Sequence, residues 1–357
     1  MNMENWLRDQ IANKEKKAMP LLSYPSIQLM FINVEELCQD SNCQALGMRL
    51  LADRYDMPIA SGYMDLSVEA EAFGAKCIHK PYEIPTIVGQ LITTQEEADA
   101  LKVPEVGDGR TGIAVDGIRK AKMIIKDRPV FANCCGPFSL AGRLMDVNEI
   151  LLQTLEEPEM VHTILEKATE FILKYIKAFK AVGADGLIMA EPLAGLLSAG
   201  LMQEFSSDYV KRIADEVQDK EFIIMYHNCA NGMERRPEQF VATGCKMFHY
   251  GDKTNMVMVL DRMPKDVMIL GNISPSAVFK ADSSLKMAKD TQNLLLRCMG
   301  HKNFMISSGC DIPADTSIAS IDKFFEVVNL HAYKCKIWET ITDETKVWDF
   351  DSDTLNA

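Results

Sequence analysis

Gly183-Ala184-Asp185-Gly186-Leu187-Ile188-Met189-Ala190-Glu191-Pro192 reads as a turn, a wholly apolar strand, and a carboxylate at the strand's end. Just upstream, Val161, Ile164, Leu165, Ala168, Phe171, Ile172, Tyr175, Ile176 and Phe179 recur at helical spacing, which makes one face of a long helix apolar. Gly183 stops that helix. A strand apolar on both faces is buried on both, as in parallel sheets covered by helices. The same unit follows again: a helix capped at Ser206 or Ser207 runs through Tyr209, Val210, Ile213 and Val217, and a strand Phe222 to Tyr226 ends at His227-Asn228-Cys229.

Working outward, further strands are expected at Lys246 to Tyr250, Val267 to Gly271 and Phe304 to Ser308, and earlier at Met57 to Met64 and Pro129 to Cys134. Leu21 to Met30 is the weakest strand and completes eight. Strands alternating with helices predict a parallel sheet, and eight units with polar groups at the strand ends predict a single α/β domain over residues 1–357, a (β/α)₈ TIM barrel. An open doubly wound sheet is the structural alternative, because the eighth strand is weak. Residues 1–20 are expected to form an N-terminal helical extension, residues 76–112 an inserted hairpin or lid over the barrel mouth, and residues 338–357 an acidic, turn-rich, solvated tail. Gly107-Asp108-Gly109-Arg110-Thr111-Gly112 lacks the lysine and the preceding strand that a phosphate-binding loop requires.

With 357 residues, 47% of them hydrophobic, the chain can bury one large core of this kind. A net charge of −13 with no basic stripe argues against nucleic acid as a partner. No apolar run is long enough for a membrane span, and the N-terminus shows no signal-peptide apolar region, so a cytoplasmic location with ten reduced cysteines is expected. Oligomeric state is left open between monomer and dimer.

His227 and Cys229 alternate at a strand end, so their side chains project to one side. Cys310 follows the last strand in Ser307-Ser308-Gly309-Cys310-Asp311. In a barrel all strands end on one rim, where active sites of this fold lie. Two thiolates and an imidazole suit Zn²⁺, and three protein ligands with one open position is the catalytic arrangement. A lone buried His or Cys is ordinarily only packed, and the bare pattern leaves that alternative standing. Glu191, also at a strand end, is expected as a displaceable fourth ligand, and His249, ending its own strand, is expected to line the site. Cys134 and Cys135 are neighbours and face opposite ways, so both cannot reach one metal. Such a zinc site is electrically neutral, and an incoming thiol that binds it loses its proton and stays nucleophilic, which suits alkyl transfer to sulfur.

These residues carry a resemblance. Met64-Asp65-Leu66-Ser67-Val68-Glu69-Ala70-Glu71-Ala72-Phe73-Gly74, Gly136-Pro137-Phe138-Ser139-Leu140-Ala141-Gly142, Glu191-Pro192, His227-Asn228-Cys229-Ala230-Asn231, Gly271-Asn272-Ile273-Ser274-Pro275 and Ser308-Gly309-Cys310-Asp311-Ile312-Pro313 span most of the chain. In that order the chain resembles the uroporphyrinogen decarboxylase superfamily, and within it the zinc methyltransferases that move a methyl group between a corrinoid protein and an acceptor such as coenzyme M. The resemblance implies a (β/α)₈ barrel with His227, Cys229 and Cys310 on zinc. It also implies Glu191 and Asp65 as candidate catalytic groups, and Asn272 and Tyr226, with His249, lining the substrate and cobalamin (methylcobamide) funnel. No histidine stands two residues after an aspartate, so the corrinoid's own ligand motif is missing and a separate partner protein is expected to carry the methylcobamide. The acceptor is expected to be a small thiol, with tetrahydrofolate as acceptor, or demethylation of a small methylated substrate onto cob(I)amide, as the alternatives. Around Gln28-Leu29-Met30-Phe31-Ile32-Asn33 the decarboxylase pattern's arginines are absent, which ranks decarboxylation low. A zinc or redox storage protein is the non-enzymatic alternative.

Overall fold

In the computed structural model, the described residues are 1–345 for the backbone and 1–334 for the side chains. Seven strands form one parallel sheet: β1 (Ala60–Ser61), β4 (Val130–Cys135), β5 (Gly186–Ala190), β6 (Ile223–Asn228), β7 (Met247–Tyr250), β8 (Met268–Ile273) and β9 (Phe304–Ser308), each paired with the next. An antiparallel hairpin, β2 (Cys77–Lys80) and β3 (Glu83–Ile87), follows β1, within the stretch expected to hold an insertion.

The fold is the expected (β/α)₈ barrel, but the eighth strand is not where the apolar pattern put it. Residues 18–27 are buried, yet their one backbone-to-backbone bond to β9 is the Met19 N–H to the Ile306 carbonyl at 2.9 Å, while the Leu21 N–H donates to the Ser308 side-chain oxygen at 2.9 Å. Ser26–Met30 is a short helix instead. Pro20 and Pro25 explain this: neither has an N–H to give a ladder, so the segment fills the gap without becoming a strand. β1 is likewise only two residues long, shorter than Met57 to Met64 suggests.

The N-terminal extension is a helix, Met3–Ala12, lying at the strands' N-terminal end. The Met3 N–H donates to the Lys220 carbonyl just ahead of β6, and the Trp6 ring sits 6.4 Å from Phe131 on β4. The helix before β6 begins at Ala199 rather than at Ser206 or Ser207. Ser198 caps it, accepting the Leu201 N–H, and a π turn at Gln203–Ser207 carries it into Asp208–Val217. Met202 and Phe205 are buried, so packing holds that earlier turn in helical form. The last helix, Ile318–Thr345, continues through residues expected to form a turn-rich tail; 346–357 lie outside the described residues. No described helix is long and apolar enough to cross a membrane.

Register divides each strand's side chains between barrel interior and helix layer. Ala190 pairs with His227, and His227 with His249, so these three share a face. Tyr226 has the opposite parity. Its ring meets Phe240, on helix Pro237–Ala242, edge-on at 5.1 Å. The odd face of β6 is the lumen face, and the even face packs on helices.

Candidate metal centre

His227 ends the lumen face of β6, Cys229 lies just past it, and Cys310 lies just past β9. Their ligand atoms all lie within 4.8 Å of one another, and Cys310 Sγ stands 3.6 Å from His227 Nε2. An S and an N on one tetrahedral zinc, at bond lengths of ~2.3 and ~2.05 Å, are about 3.6 Å apart. The donor set therefore fits the ion expected from the sequence. The mutual hydrogen bond of the two thiols, then burial, push Cys310 up to about 12, while the same bond holds Cys229 below the usual thiol range.

Behind the ligands stands a relay. His227 Nδ1 is 2.8 Å from His249 Nδ1, and His249 Nε2 is 2.7 Å from Ser307 Oγ on β9. His249 is fully buried, and burial, then the neighbouring His227, hold it well below the usual histidine range, so its ring is neutral with a single N–H. If His227 donates from Nδ1, His249 accepts at Nδ1 and donates from Nε2 to Ser307. That arrangement leaves the His227 Nε2 lone pair bare toward Cys310, as a metal ligand requires.

Three loops hold the two cysteines in place. A Cβ on Gly251 would meet the Cys229 carbonyl oxygen at 2.5 Å and its Cα at 2.7 Å. A Cβ on Gly309 would meet the Asp252 backbone nitrogen at 2.5 Å. The loop after β7 is therefore wedged between the other two at a separation only glycine allows. Asn272 on β8 pins the same loop, its Nδ2 donating to the Gly251 carbonyl at 2.8 Å and the Thr254 carbonyl at 2.7 Å.

The remaining candidates from sequence take other places. Glu191 is outside the three-atom cluster: its Oε1 accepts the Ser139 N–H at 2.8 Å, at the positive end of helix Pro137–Met145. Burial pushes Glu191 up to about 8, against the pull of the Ser139 and Phe138 N–H groups. Its backbone does serve the centre. The Glu191 N–H donates to the His227 carbonyl at 2.9 Å, and Asn228 Nδ2 donates to the Glu191 carbonyl at 2.7 Å, which fixes the turn between the two ligands. Asp65 is ion-paired to buried Arg110, which also holds Glu71 at 2.6 Å, and Asp65 Oδ1 accepts the Ser67 hydroxyl at 2.6 Å. Asn272 works on the loop, His249 stands behind a ligand, and Tyr226 lies in the helix layer, away from the lumen face. Sequence reading missed Ser307, Gly251, Gly309 and Arg110. Ser307 alone had a signal, since its alternation with Ile306 on β9 puts it on one definite face.

The model of the family described as uroporphyrinogen decarboxylase (URO-D) matches residues 27–331. The chain is 23% identical over 278 residues to a methylcobamide:CoM methyltransferase of Methanosarcina acetivorans, covering 75% of this chain and 78% of that protein. It is 24% identical over 285 residues to a uroporphyrinogen decarboxylase of Tolumonas auensis, covering 77% and 79%. Among solved structures, a methyltransferase from Methanosarcina mazei superposes with a TM-score of 0.81 at 16% identity, over 93% of this chain and 99% of that one, and so has the same fold.

Proposed function

The chain belongs to the uroporphyrinogen decarboxylase family, and from that premise we propose that it is a methyltransferase of the zinc branch, moving a methyl group between a methylcobamide on a partner corrinoid protein and a small thiol. One observation carries this reading: two thiols and an imidazole converge at the barrel's C-terminal rim with a tetrahedral S–N separation and no fourth protein ligand among the described residues. A structural site would be closed by four. A decarboxylase would leave this cluster without a role.

His227, Cys229 and Cys310 would hold the zinc, which would supply the depressed thiol pKa that yields a nucleophile at neutral pH. The chain's own residues do the rest. His249 and Ser307 hold the His227 ring with Nε2 free. Glu191 and Asn228 hold the backbone between His227 and Cys229. The barrel mouth orients the acceptor so that its sulfur lone pair forms the S–C bond while the Co–C pair departs with cobalt, an in-line displacement.

The test is methylcobalamin demethylation under anaerobic conditions. Appearance of cob(I)alamin only with 2-mercaptoethanesulfonate present, and at least 100-fold slower in Cys310→Ser, is the expected result. Demethylation stimulated by tetrahydrofolate and not by any thiol would overturn the acceptor.

A further inference from the structure

A second group of metal-ligating atoms stands apart from the centre just described. Glu71, Cys77 and His79 bring a carboxylate oxygen, a thiol and an imidazole nitrogen within 4.8 Å of one another. Cys77 and His79 alternate on β2, the first strand of the inserted hairpin, so both side chains take one side. They are half-buried, whereas Ile78 and Lys80 are exposed. Glu71 comes from the short helix Val68–Ala72 that precedes the hairpin. His79 Nε2 lies 3.2 Å from Glu71 Oε1. An N and an O on one tetrahedral zinc, at bond lengths of ~2.05 Å each, are about 3.3 Å apart.

Outer contacts hold two of these groups as metal ligands are held. Gln39, closing helix Val34–Gln39, has its side-chain amide 3.2 Å from His79 Nδ1. With the amide oxygen turned to that nitrogen, Nδ1 carries the imidazole proton and Nε2 is bare. Arg110 holds the other Glu71 oxygen, Oε2, at 2.6 Å, which leaves Oε1 on the side of His79. The same guanidinium binds Asp65 and the Ser67 hydroxyl, and its reach to Cys77 Sγ is a long 3.8 Å.

Charge favours a cation here. Asp65 and Glu71 face the single positive charge of Arg110, so the group carries one uncompensated negative charge. A divalent ion that displaces the Cys77 proton to solvent adds two positive charges and one negative, which brings the group to neutrality. Sulfur, nitrogen and oxygen donors together suit zinc, whereas magnesium and calcium take oxygen ligands.

We propose that Glu71, Cys77 and His79 form a second site for a zinc-class ion, which fastens the hairpin to the helix before it. One thiolate in place of two, and a guanidinium at the edge, make it weaker than the centre on His227, Cys229 and Cys310. It loads after that centre, takes no part in the transfer, and does not rest on the transfer reading.

Zinc titration of the chelator-stripped chain, in competition with a chromophoric chelator, tests this. Two equivalents are expected, the second at least tenfold weaker than the first. Cys77→Ser and His79→Ala are each expected to lose only the weaker equivalent. A chain carrying both Cys229→Ser and Cys310→Ser is expected to lose only the tighter one. The second equivalent is also expected to slow amide hydrogen exchange across Cys77–Lys80 in the native chain and not in His79→Ala. A single equivalent in the native chain, or a second one that survives both Cys77→Ser and His79→Ala, would overturn the proposal. So would a second equivalent that leaves exchange across Cys77–Lys80 unchanged. If both equivalents bind as expected and no thiol is methylated, the second site stands and the transfer reading falls.

Discussion

His227 Nδ1 lies 2.8 Å from His249 Nδ1, and the second ring is tied through Nε2 to Ser307 at 2.7 Å, so His227 Nε2 is presented toward Cys310 by a chain of two contacts running from β6 through β7 to β9. Partners of this kind hold a metal-binding imidazole in one tautomer and one orientation, and losing them typically costs 10- to 100-fold in metal affinity. His249→Phe keeps an aromatic ring and removes both nitrogens. Its zinc affinity, read by competition with a chromophoric chelator, is expected to fall by about that range, and Ser307→Ala by less. An affinity within twofold of native would mean the relay does not position His227.

Gly309→Ala tests the wedge. The new Cβ would sit 2.5 Å from the Asp252 nitrogen, so either the Cys310 loop or the loop after β7 must move. Overpacking of this kind costs about 1–3 kcal/mol. A lower Tm together with a weaker zinc site is expected in thermal melts and chelator competition. Unchanged values for both would show that the loops yield freely.

The resemblance implies Asp65 as a catalytic candidate, while in the structure it is ion-paired to buried Arg110. Removing one partner of a buried ion pair strands the other charge, at about 3–5 kcal/mol; the remaining Glu71 and Ser67 contacts place Asp65→Asn near the lower end. The variant is expected to melt earlier while folded protein keeps kcat within threefold. A native Tm with kcat reduced 100-fold would return Asp65 to the chemistry.

Glu69 supplies a pH dependence outside the candidate metal centre. Burial raises it from 4.5 to about 7 in the folded chain, opposed by the Cys135 N–H. Between those values the folded state binds the extra proton. Its contribution is complete below about pH 4.5 and is lost as pH rises through about 7, so stability falls over that window. At about 1.4 kcal/mol per unit the loss is on the order of 3 kcal/mol. Glu69→Gln is expected to flatten the descent in urea midpoints between pH 5 and 8. A slope equal to native would assign the descent to other groups.

The alternating apolar strands and the long helix Pro158–Ala181 made the barrel legible from sequence, because burial on both faces leaves a strand no polar positions. The eighth position was misread because apolar character survives two prolines that hydrogen bonding does not. At the site, parity was the informative quantity. It brought His227 and Cys229 together, and the same parity places Tyr226 on the far side of β6, against Phe240. Glu191 sits at its strand end as expected, but outside the three-atom cluster, with Oε1 bonded to the Ser139 N–H at the N-terminus of a helix that no local pattern links to the strand end. Gly251 and Gly309 matter through contacts between loops remote in sequence, which no local pattern reports.

On the proposed function, thiol-dependent methyl transfer requires one zinc on His227, Cys229 and Cys310. The most direct measurement strips the purified protein with chelator and titrates zinc back, following cob(I)alamin formation from methylcobalamin and 2-mercaptoethanesulfonate. The rate is predicted to rise linearly and break at one equivalent per chain, with no rise in His227→Ala. A metal-free protein that turns over as fast as the reconstituted one would show that the transfer needs no zinc.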